Sequence, residues 1–359
     1  MTVYRDSKRI VGTNADKIGT PAVSGGWKEL GRISGSRTVN NSLTVSSLAD
    51  KRYYMILGES QGGATYTNDI RFNADSGSNY AIRQSVNGGT DGAYTGQAFM
   101  NFDGTGSDTD KFGVGYIANI STKEKLYQSH VVQRSTAGAG NDPKRGEFAG
   151  KWANTSNAIN SISMLNRGSG TSSAGELVVL GYDPDDTHTT NFWEQLTDKS
   201  WTSGNAITTN TFATKKYLWI QGWYTQSGTS GHNRFRVGNG TIDTGSNYCQ
   251  RYSVNGATDV ATGGASLNLN NLWAVVGQGS DAGIDRCFFN MFIINDGSKE
   301  KLITGSNVWS QTDGAGTAPE RTEFACKWVD TSDQINIVEI NINGSGSFSG
   351  GQIKVWGSN

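Results

Sequence analysis

Short segments with hydrophobic residues on alternating positions occur along the whole chain, separated by segments rich in glycine, serine, threonine and asparagine. In one such segment, Tyr53, Met55 and Leu57 point to one side of an extended chain. Tyr54 and Ile56 point to the other side. Because both sides are apolar, this segment is predicted to be a central strand that is covered on both faces.

Segments of this kind predict about eight strands in each half of the chain, at the spacing typical of β-sandwiches. Gly58 and Gly222 follow equivalent apolar segments and are predicted to end those strands. Residues 87–88 and 255–256 are both Asn-Gly, and they predict tight hairpin turns because both residue types tolerate a positive φ. No segment shows sustained helical periodicity, so the expected fold class is all-β.

The pattern occurs twice, as a long internal repeat. Residues 75–91 recur 168 positions later, and residues 145–160 recur 176 positions later, so eight residues were inserted between the two blocks in the second copy. A repeat of this length indicates two complete domains rather than a solenoid. The predicted organisation is an N-terminal arm (residues 1–26), a first β-sandwich (residues 27–182), a linker (residues 183–191) and a second β-sandwich (residues 192–359).

Residues 1–26 are polar, basic and rich in glycine and serine, so they cannot form a core of their own. Two interpretations stay open: a poorly ordered terminus, or an anchoring arm in which Arg5, Lys8 and Arg9 contact an acidic partner surface. The first residues lack the apolar core of a secretory signal, and no segment reaches the roughly 18 apolar residues of a membrane span. We therefore expect synthesis in a cytoplasm and no membrane partner.

Composition narrows the class of partner. The 48 glycines could indicate disorder, but 10 tryptophans, 13 tyrosines and 13 phenylalanines supply more apolar surface than a disordered chain carries. The 31 basic and 32 acidic residues give a net charge of −1, without the basic excess of a nucleic-acid-binding protein. We expect no nucleic-acid partner.

Three cysteines, Cys249, Cys287 and Cys326, lie in the second copy without the spacing of a metal site. Cys249 and Cys326 occupy positions where the first copy has the small residues Ala81 and Gly150. We therefore expect buried free thiols.

The sequence contains no convincing catalytic pattern. His130, His188 and His232 lie in unrelated contexts, and none recurs at the equivalent position of the other copy. Glu147 and Lys151 do recur in the second copy, and this spacing of four residues predicts a structural ion pair on one side of a strand. We expect no enzymatic activity.

Acidic and amide side chains in residues 73–77 and 183–186 could supply oxygen ligands for calcium. The glutamate and the spacing of a full calcium loop are missing, so turn formation explains these segments more simply. We therefore expect no metal and no cofactor.

Eight of the ten tryptophans belong to the second copy. Trp219 and Trp223 would face one side of a strand together with Tyr217, and flat aromatic side chains can stack on sugar rings. Trp223 and Trp309 are therefore candidate glycan-stacking residues. The favoured alternative is that the second domain fills its core with indole where the first uses smaller residues such as Met55.

Several segments together resemble a group of tailed-bacteriophage virion proteins. The resemblance rests on Tyr4-Arg-Asp-Ser-Lys-Arg-Ile-Val-Gly12, Trp27-Lys-Glu-Leu-Gly31, Ala49-Asp-Lys-Arg-Tyr-Tyr-Met-Ile-Leu57 and Asp75-Ser-Gly-Ser-Asn-Tyr80. The closing segment, Gly-Gly-Gln-Ile-Lys-Val-Trp-Gly357, is similar to the last strand of phage jelly-roll modules. The resemblance covers nearly the whole chain and implies two tandem jelly-roll-like β-sandwiches located in a virion.

The resemblance makes a non-enzymatic structural role the leading expectation. The chain would be a capsid decoration protein, most specifically one that binds the major capsid protein of the head shell, and it would form a homo-oligomer. A tail or fibre protein that recognises a host surface glycan is the alternative. A double-jelly-roll major capsid protein and a depolymerase are the remaining hypotheses.

Overall fold

A computed structural model describes most of the chain. The residues left outside the description are 1–2, 6–7, 12–22, 25, 64, 104–108, 185, 189, 228–232, 277–285, 311–313 and 345. For residues 3–5, 8–11, 23–24, 187–188 and 227 only the backbone is described.

The described regular structure is almost entirely β-strand, which confirms the all-β prediction. The N-terminal segment contains β1 (Val3–Arg5), β2 (Lys8–Val11) and β3 (Val23–Ser24). The first repeat contains β4 (Lys28–Ser34), β5 (Ser42–Val45), β6 (Tyr53–Gly62), β7 (Asp69–Phe72), β8 (Tyr80–Val86), β9 (Gly92–Gln97), β10 (Met100–Asn101), β11 (Asp110–Ala118), β12 (Lys125–Arg134), β13 (Lys144–Trp152), β14 (Ile162–Leu165) and β15 (Ser172–Tyr182).

The predicted linker contributes β16 (Thr187–His188). The second repeat contains β17 (Glu194–Trp201), β18 (Ala206–Thr208), β19 (Tyr217–Ser227), β20 (Arg234–Asn239), β21 (Thr241–Ile242), β22 (Tyr248–Val254), β23 (Arg286–Ile294), β24 (Lys301–Ser310), β25 (Glu320–Trp328), β26 (Ile337–Asn341) and β27 (Ser347–Ser358). The described residues also include two short 3-10 helices, Gly263–Ala265 and Trp273–Val275.

Each repeat forms one large and one small antiparallel sheet. In the first repeat the large sheet has the order β4-β15-β6-β11-β12-β13-β8-β9, and the small sheet has the order β10-β7-β14-β5. In the second repeat the large sheet has the order β17-β27-β19-β23-β24-β25-β22, and the small sheet has the order β18-β26-β20-β21. Strands that match in the sequence order of the two repeats also hold matching positions in the two large sheets. None of these four sheets contains strands from both repeats.

Among the described residues, three apolar cores hold these sheets together. Two of them lie inside the repeats, between the large and the small sheet of each. The third core lies between the two large sheets. From the first repeat it contains Met55, Leu57, Phe112, Val114, Val132, Val178 and Leu180, and from the second it contains Phe192, Trp193, Tyr217, Phe292, Ile294, Leu302 and Ala325. The two large sheets therefore pack on one another, and each has its own small sheet on its other face.

Strand β6 shows why both faces of its segment are apolar. Tyr54 and Ile56 belong to the core of the first repeat, whereas Met55 and Leu57 belong to the core between the large sheets. The prediction of a central strand covered on both faces is confirmed.

The prediction that Gly58 and Gly222 end their strands is wrong, since both lie inside strands that continue beyond them. A Cβ atom on Gly58 would lie 2.4 Å from the ring of Phe102, and one on Gly222 would lie 2.3 Å from the ring of Phe289. These glycines leave space for an aromatic ring from within the same sandwich, which is the other common reason for glycine inside a strand.

Two repeated motifs have a direct structural explanation. The Asn-Gly turns at residues 87–88 and 255–256 have positive φ angles at all four residues, as predicted. The indole of Trp152 donates a hydrogen bond to the carboxylate of Asp75 (2.7 Å), and Trp328 makes the same 2.7 Å bond to Asp243. Both tryptophan rings are buried. Hydrogen bonds from the indole and from the backbone amide of Gly77 thus account for Asp75 in the segment that resembles a calcium ligand set.

We expect Trp152→Ala or Trp328→Ala to lower the free energy of unfolding by about 3–5 kcal/mol, because each removes a large buried ring. Urea denaturation followed by circular dichroism measures the change. Trp223→Ala is the matched control, and it should cost less than about 1 kcal/mol because its ring lies on the surface. Equal losses for the buried and the exposed tryptophans would contradict the packing described here.

Candidate binding surfaces

A loop of the first repeat, residues 136–145, lies in a groove of the second repeat; we call these the inner loop and the covered groove. The ammonium group of Lys327 donates to the carbonyl oxygens of Thr136 (2.9 Å) and Gly138 (3.1 Å). The carboxylate of Glu300 accepts from the backbone amide of Gly138 (2.5 Å) and pairs with Lys327 (3.0 Å). The groove therefore recognises mainly the backbone of the inner loop.

Further contacts extend along the same loop. The guanidinium group of Arg251 donates to the carbonyl oxygen of Pro143 (2.7 Å) and pairs with the carboxylate of Asp142. The backbone amide of Asn268 donates to the carbonyl oxygen of Ala139 (2.9 Å). These bonds fix the inner loop along its length and thereby fix the two repeats against one another.

The apolar part of the same interface has charged residues at its edge. The ring of Phe112 stacks on that of Tyr217 with centroids 6.2 Å apart. The ammonium group of Lys216 lies 2.5 Å from Glu59 and 3.3 Å from Glu176, so a cation of the second repeat pairs with two carboxylates of the first.

A third polar cluster surrounds Arg145. Its guanidinium group pairs with the carboxylate of Asp259 (2.6 Å) in the second repeat and with Glu147 in the first. Burial raises the pKa of Glu323 in this cluster, and the nearby Glu147 carboxylate adds to the rise. The Nδ1 atom of His130 is 3.9 Å from Glu147. Arg145 pairs with Glu147 of its own repeat and with Asp259 of the other repeat. The cluster is therefore a structural ion network between the repeats.

The predicted ion pair between Glu147 and Lys151 is wrong. Lys151 pairs with Glu124 (2.9 Å), and the equivalent Lys327 pairs with Glu300. Residues four apart on a strand are separated by about 13 Å, whereas a residue on or near the neighbouring strand lies within about 5 Å. Cross-strand neighbours therefore determine the pairing.

The histidines and cysteines considered as candidates for chemistry do not form a site among the described residues. The side chain of His188 and the whole of His232 lie outside the described residues. In the part of the chain that the structure describes, no group of three or more histidine, cysteine or acidic side chains is arranged to hold a metal ion. The three cysteines are buried free thiols, as predicted, and burial raises the pKa of Cys249 and of Cys287 to about 12.

An exposed apolar surface lies on the second repeat, on the face of the large sheet that elsewhere forms the third core. Trp223, Phe288 and Val308 are neighbours on strands β19, β23 and β24, and Trp223 is 47% exposed. We call these three residues the outer apolar face. With Pro319 they line a cavity of about 340 Å³. Trp309 also borders this cavity but is only 3% exposed and belongs to the core of the second repeat, so its ring is not available to a sugar at the surface.

An aromatic pocket on the first repeat was not found from the sequence. Trp27, Tyr53, Tyr116 and Tyr182 line a cavity of about 610 Å³ together with Leu126, which is 59% exposed. The rings of Tyr53 and Tyr182 stack with centroids 6.0 Å apart. These residues come from the two ends and the middle of the repeat, so only the order of strands in the sheet brings them together.

The candidate anchoring residues Arg5, Lys8 and Arg9 lie on β1 and β2, and their side chains are outside the described residues. Strand β1 pairs with β2, and β3 pairs with β16 of the linker. Within these pairings the N-terminal segment is hydrogen-bonded to itself and to the linker.

No protein-family model matches the chain, and no curated protein matches its sequence. Among solved structures, the LG1–3 region of the laminin α2 chain is 8% identical, with a TM-score of 0.17, over 87% of this chain and 69% of that chain. Neisserial surface protein A is 6% identical, with a TM-score of 0.11, over 82% of this chain and 99% of that chain. Likenesses this weak carry no argument about the fold. Within the described residues, no helix is both long and apolar enough to span a membrane.

We expect Arg145→Ala to lower the free energy of unfolding by about 3 kcal/mol, because it leaves the buried carboxylate of Asp259 without its closest cation. The matched control is Arg321→Ala. Arg321 is the equivalent residue of the second repeat, it is exposed, and its loss should cost less than about 1 kcal/mol. Chemical denaturation of both variants provides the measurement, and an equal cost would show that the network around Arg145 does not join the repeats.

Proposed function

We propose that this chain is a non-enzymatic structural protein of a tailed-bacteriophage virion, most specifically a capsid decoration protein that binds the head shell. Each repeat is, in this proposal, a jelly-roll-like sandwich that arose by duplication. The observation that carries the proposal is the place of the N-terminal segment. Strand β1 pairs with β2, and β3 pairs with the linker strand β16, so no strand in the described part of this segment joins a sheet of either sandwich. The segment is thus suited to contact a separate partner.

Charge and architecture support the same role. Arg5, Lys8 and Arg9 give the segment a basic character that suits an acidic patch of the major capsid protein. The two sandwiches share a buried core, so they form one body that can keep a fixed orientation above the shell. The resemblance of the N-terminal motifs to virion proteins points in the same direction.

A tail or fibre protein that binds a host surface glycan is the second candidate. The observation in its favour is Trp223, an exposed indole beside the exposed ring of Phe288. Such a flat aromatic surface can stack on a sugar ring. Under this alternative the second repeat, rather than the N-terminal segment, makes the essential contact.

The combined replacement of Arg5, Lys8 and Arg9 by Ala tests the proposal in phage particles. We expect the variant to fold normally and to be lost from the particles, because the anchoring charges are gone. The variant particles should release DNA at a lower temperature than wild-type particles, since a ligand that binds only the assembled shell stabilises it. Their adsorption to host cells should be unchanged. Incorporation is measured by quantitative gel analysis of purified particles.

The control carries Ala in place of Lys28, Lys123 and Arg167, three exposed cations of the first repeat, and it should be incorporated normally. Normal incorporation of the N-terminal variant would contradict the anchoring role. Lost adsorption with unchanged heat resistance would favour the glycan-binding alternative, and Trp223→Ala should then abolish adsorption as well.

A further inference from the structure

The covered groove of the second repeat has a counterpart on the first repeat that is exposed. Lys151 and Glu124, which lie 176 positions before Lys327 and Glu300, form the same ion pair at 2.9 Å. The side chain of Lys327 is 0% exposed under the inner loop, whereas that of Lys151 is 47% exposed. The same lysine–glutamate pair is therefore present in both repeats, but only the pair in the second repeat is covered by a loop.

The match extends along the groove. Arg83 of the first repeat corresponds to Arg251, which holds the inner loop, and Arg83 is exposed. We call the first-repeat surface the exposed groove. It has a cavity of about 350 Å³, lined by Arg83, Tyr94, Leu126, Ala149 and Lys151 among others.

The inner loop also has an exposed counterpart. Residues 138–145 read Gly-Ala-Gly-Asn-Asp-Pro-Lys-Arg, and residues 314–321 read Gly-Ala-Gly-Thr-Ala-Pro-Glu-Arg; we call the latter the outer loop. Gly138 and Gly314 have φ angles of +91° and +89°, a conformation that favours glycine. Most residues of the outer loop are exposed.

The two loops differ in side chains that the covered groove hardly uses. Lys327, Glu300 and the amide of Asn268 all bind backbone atoms of the inner loop. The outer loop keeps the same glycines, the same proline and the same positive φ at its first glycine, so the backbone of Gly314 can offer Lys151 and Glu124 the groups that Gly138 offers Lys327 and Glu300. Two contacts lack an equivalent. The outer loop has Ala318 in the place of Asp142, which pairs with Arg251, and the exposed groove has Ala81 in the place of Cys249, whose thiol donates to the carbonyl oxygen of Asn141 (3.2 Å).

The apolar residues beside the grooves are likewise buried in one repeat and exposed at the equivalent positions of the other. Phe112 and Val132 of the first repeat are in the third core with Tyr217 and Leu302 of the second. Their counterparts are Phe288 and Val308 on the outer apolar face, and Tyr53 and Leu126 beside the exposed groove. With Trp223, these are five of the nine large hydrophobic side chains that are exposed in the described part of the chain: Tyr53, Leu126, Trp223, Phe288 and Val308.

We infer that a second copy of this chain binds head to tail, with its outer loop and outer apolar face on the exposed groove and aromatic pocket of the first copy. This contact repeats between two chains the interface that joins the two repeats within one chain. One substitution fits the change of partner. Trp223 stands where the first repeat has Glu59, and Arg52 stands where the second has Lys216. Within one chain, Lys216 forms an ion pair with Glu59. Between two chains the equivalent positions would bring Arg52 beside the indole of Trp223, and a cation and an aromatic ring also attract one another.

The two surfaces of this contact are different, so the association is heterologous. Such a contact leaves one free surface of each kind on every added copy, and it continues until a ring closes or a filament forms. Around such a ring, contacts between two repeats of one chain would alternate with contacts between repeats of neighbouring chains. This inference does not depend on the proposed role in the virion.

Sedimentation velocity of the purified full-length protein tests the inference. We expect the wild type to form larger species as its concentration rises through the micromolar range. Leu126→Asp in the exposed groove and Phe288→Asp on the outer apolar face should each weaken association at least tenfold, while Val39→Asp, at an exposed site elsewhere, should leave it unchanged. Lys151→Glu provides a second groove variant, and circular dichroism checks that every variant is folded.

A mixture of the Leu126→Asp and Phe288→Asp variants is the decisive sample. Each retains the surface that the other lacks, so the mixture should form dimers and nothing larger. A wild type that stays monomeric throughout the concentration range, or loss of association in Leu126→Asp alone, would overturn the inference. The protein can fail this test and still bind heads through its N-terminal segment, so the two proposals are judged separately.

Discussion

The structure depends on the burial of a second apolar face on each large sheet. A sandwich normally buries one face of each sheet and leaves the other to water. Here β6 places Met55 and Leu57 on the face directed away from its own small sheet, and β19 places Tyr217 on the corresponding face. Either sandwich alone would expose this surface to water. The tandem arrangement buries this second apolar face of the central strands.

Charged residues add orientation to this apolar contact. Lys327 with Glu300, and Arg145 with Asp259, are ion pairs buried at or beside the same interface. Buried ion pairs contribute little net stability, but they penalise any arrangement in which a partner is missing. The hydrogen bonds from the covered groove to the inner loop act in the same way. Apolar burial thus holds the repeats together, and the polar contacts select one alignment.

Much of the fold follows from local sequence. Alternation predicts the strands and the double burial of β6, and the Asn-Gly pairs predict the turns. Local sequence does not predict which faces of the two sheets meet, because that choice depends on residues far apart in the chain. Side chains alternate between the two faces of β24. This alternation would have distinguished Trp309, which points into the core, from its exposed neighbour Val308. The recurrence of Glu124 and Lys151 as Glu300 and Lys327 was a further signal of the grooves.

The two repeats share a core and should therefore behave as one body. Differential scanning calorimetry of the full-length protein tests this claim most directly. If the interface is as extensively buried as described, the chain should unfold in a single cooperative transition, with a van't Hoff enthalpy close to the calorimetric enthalpy. Two separate transitions, each with the enthalpy of one sandwich, would show that the repeats fold independently and would contradict a shared core.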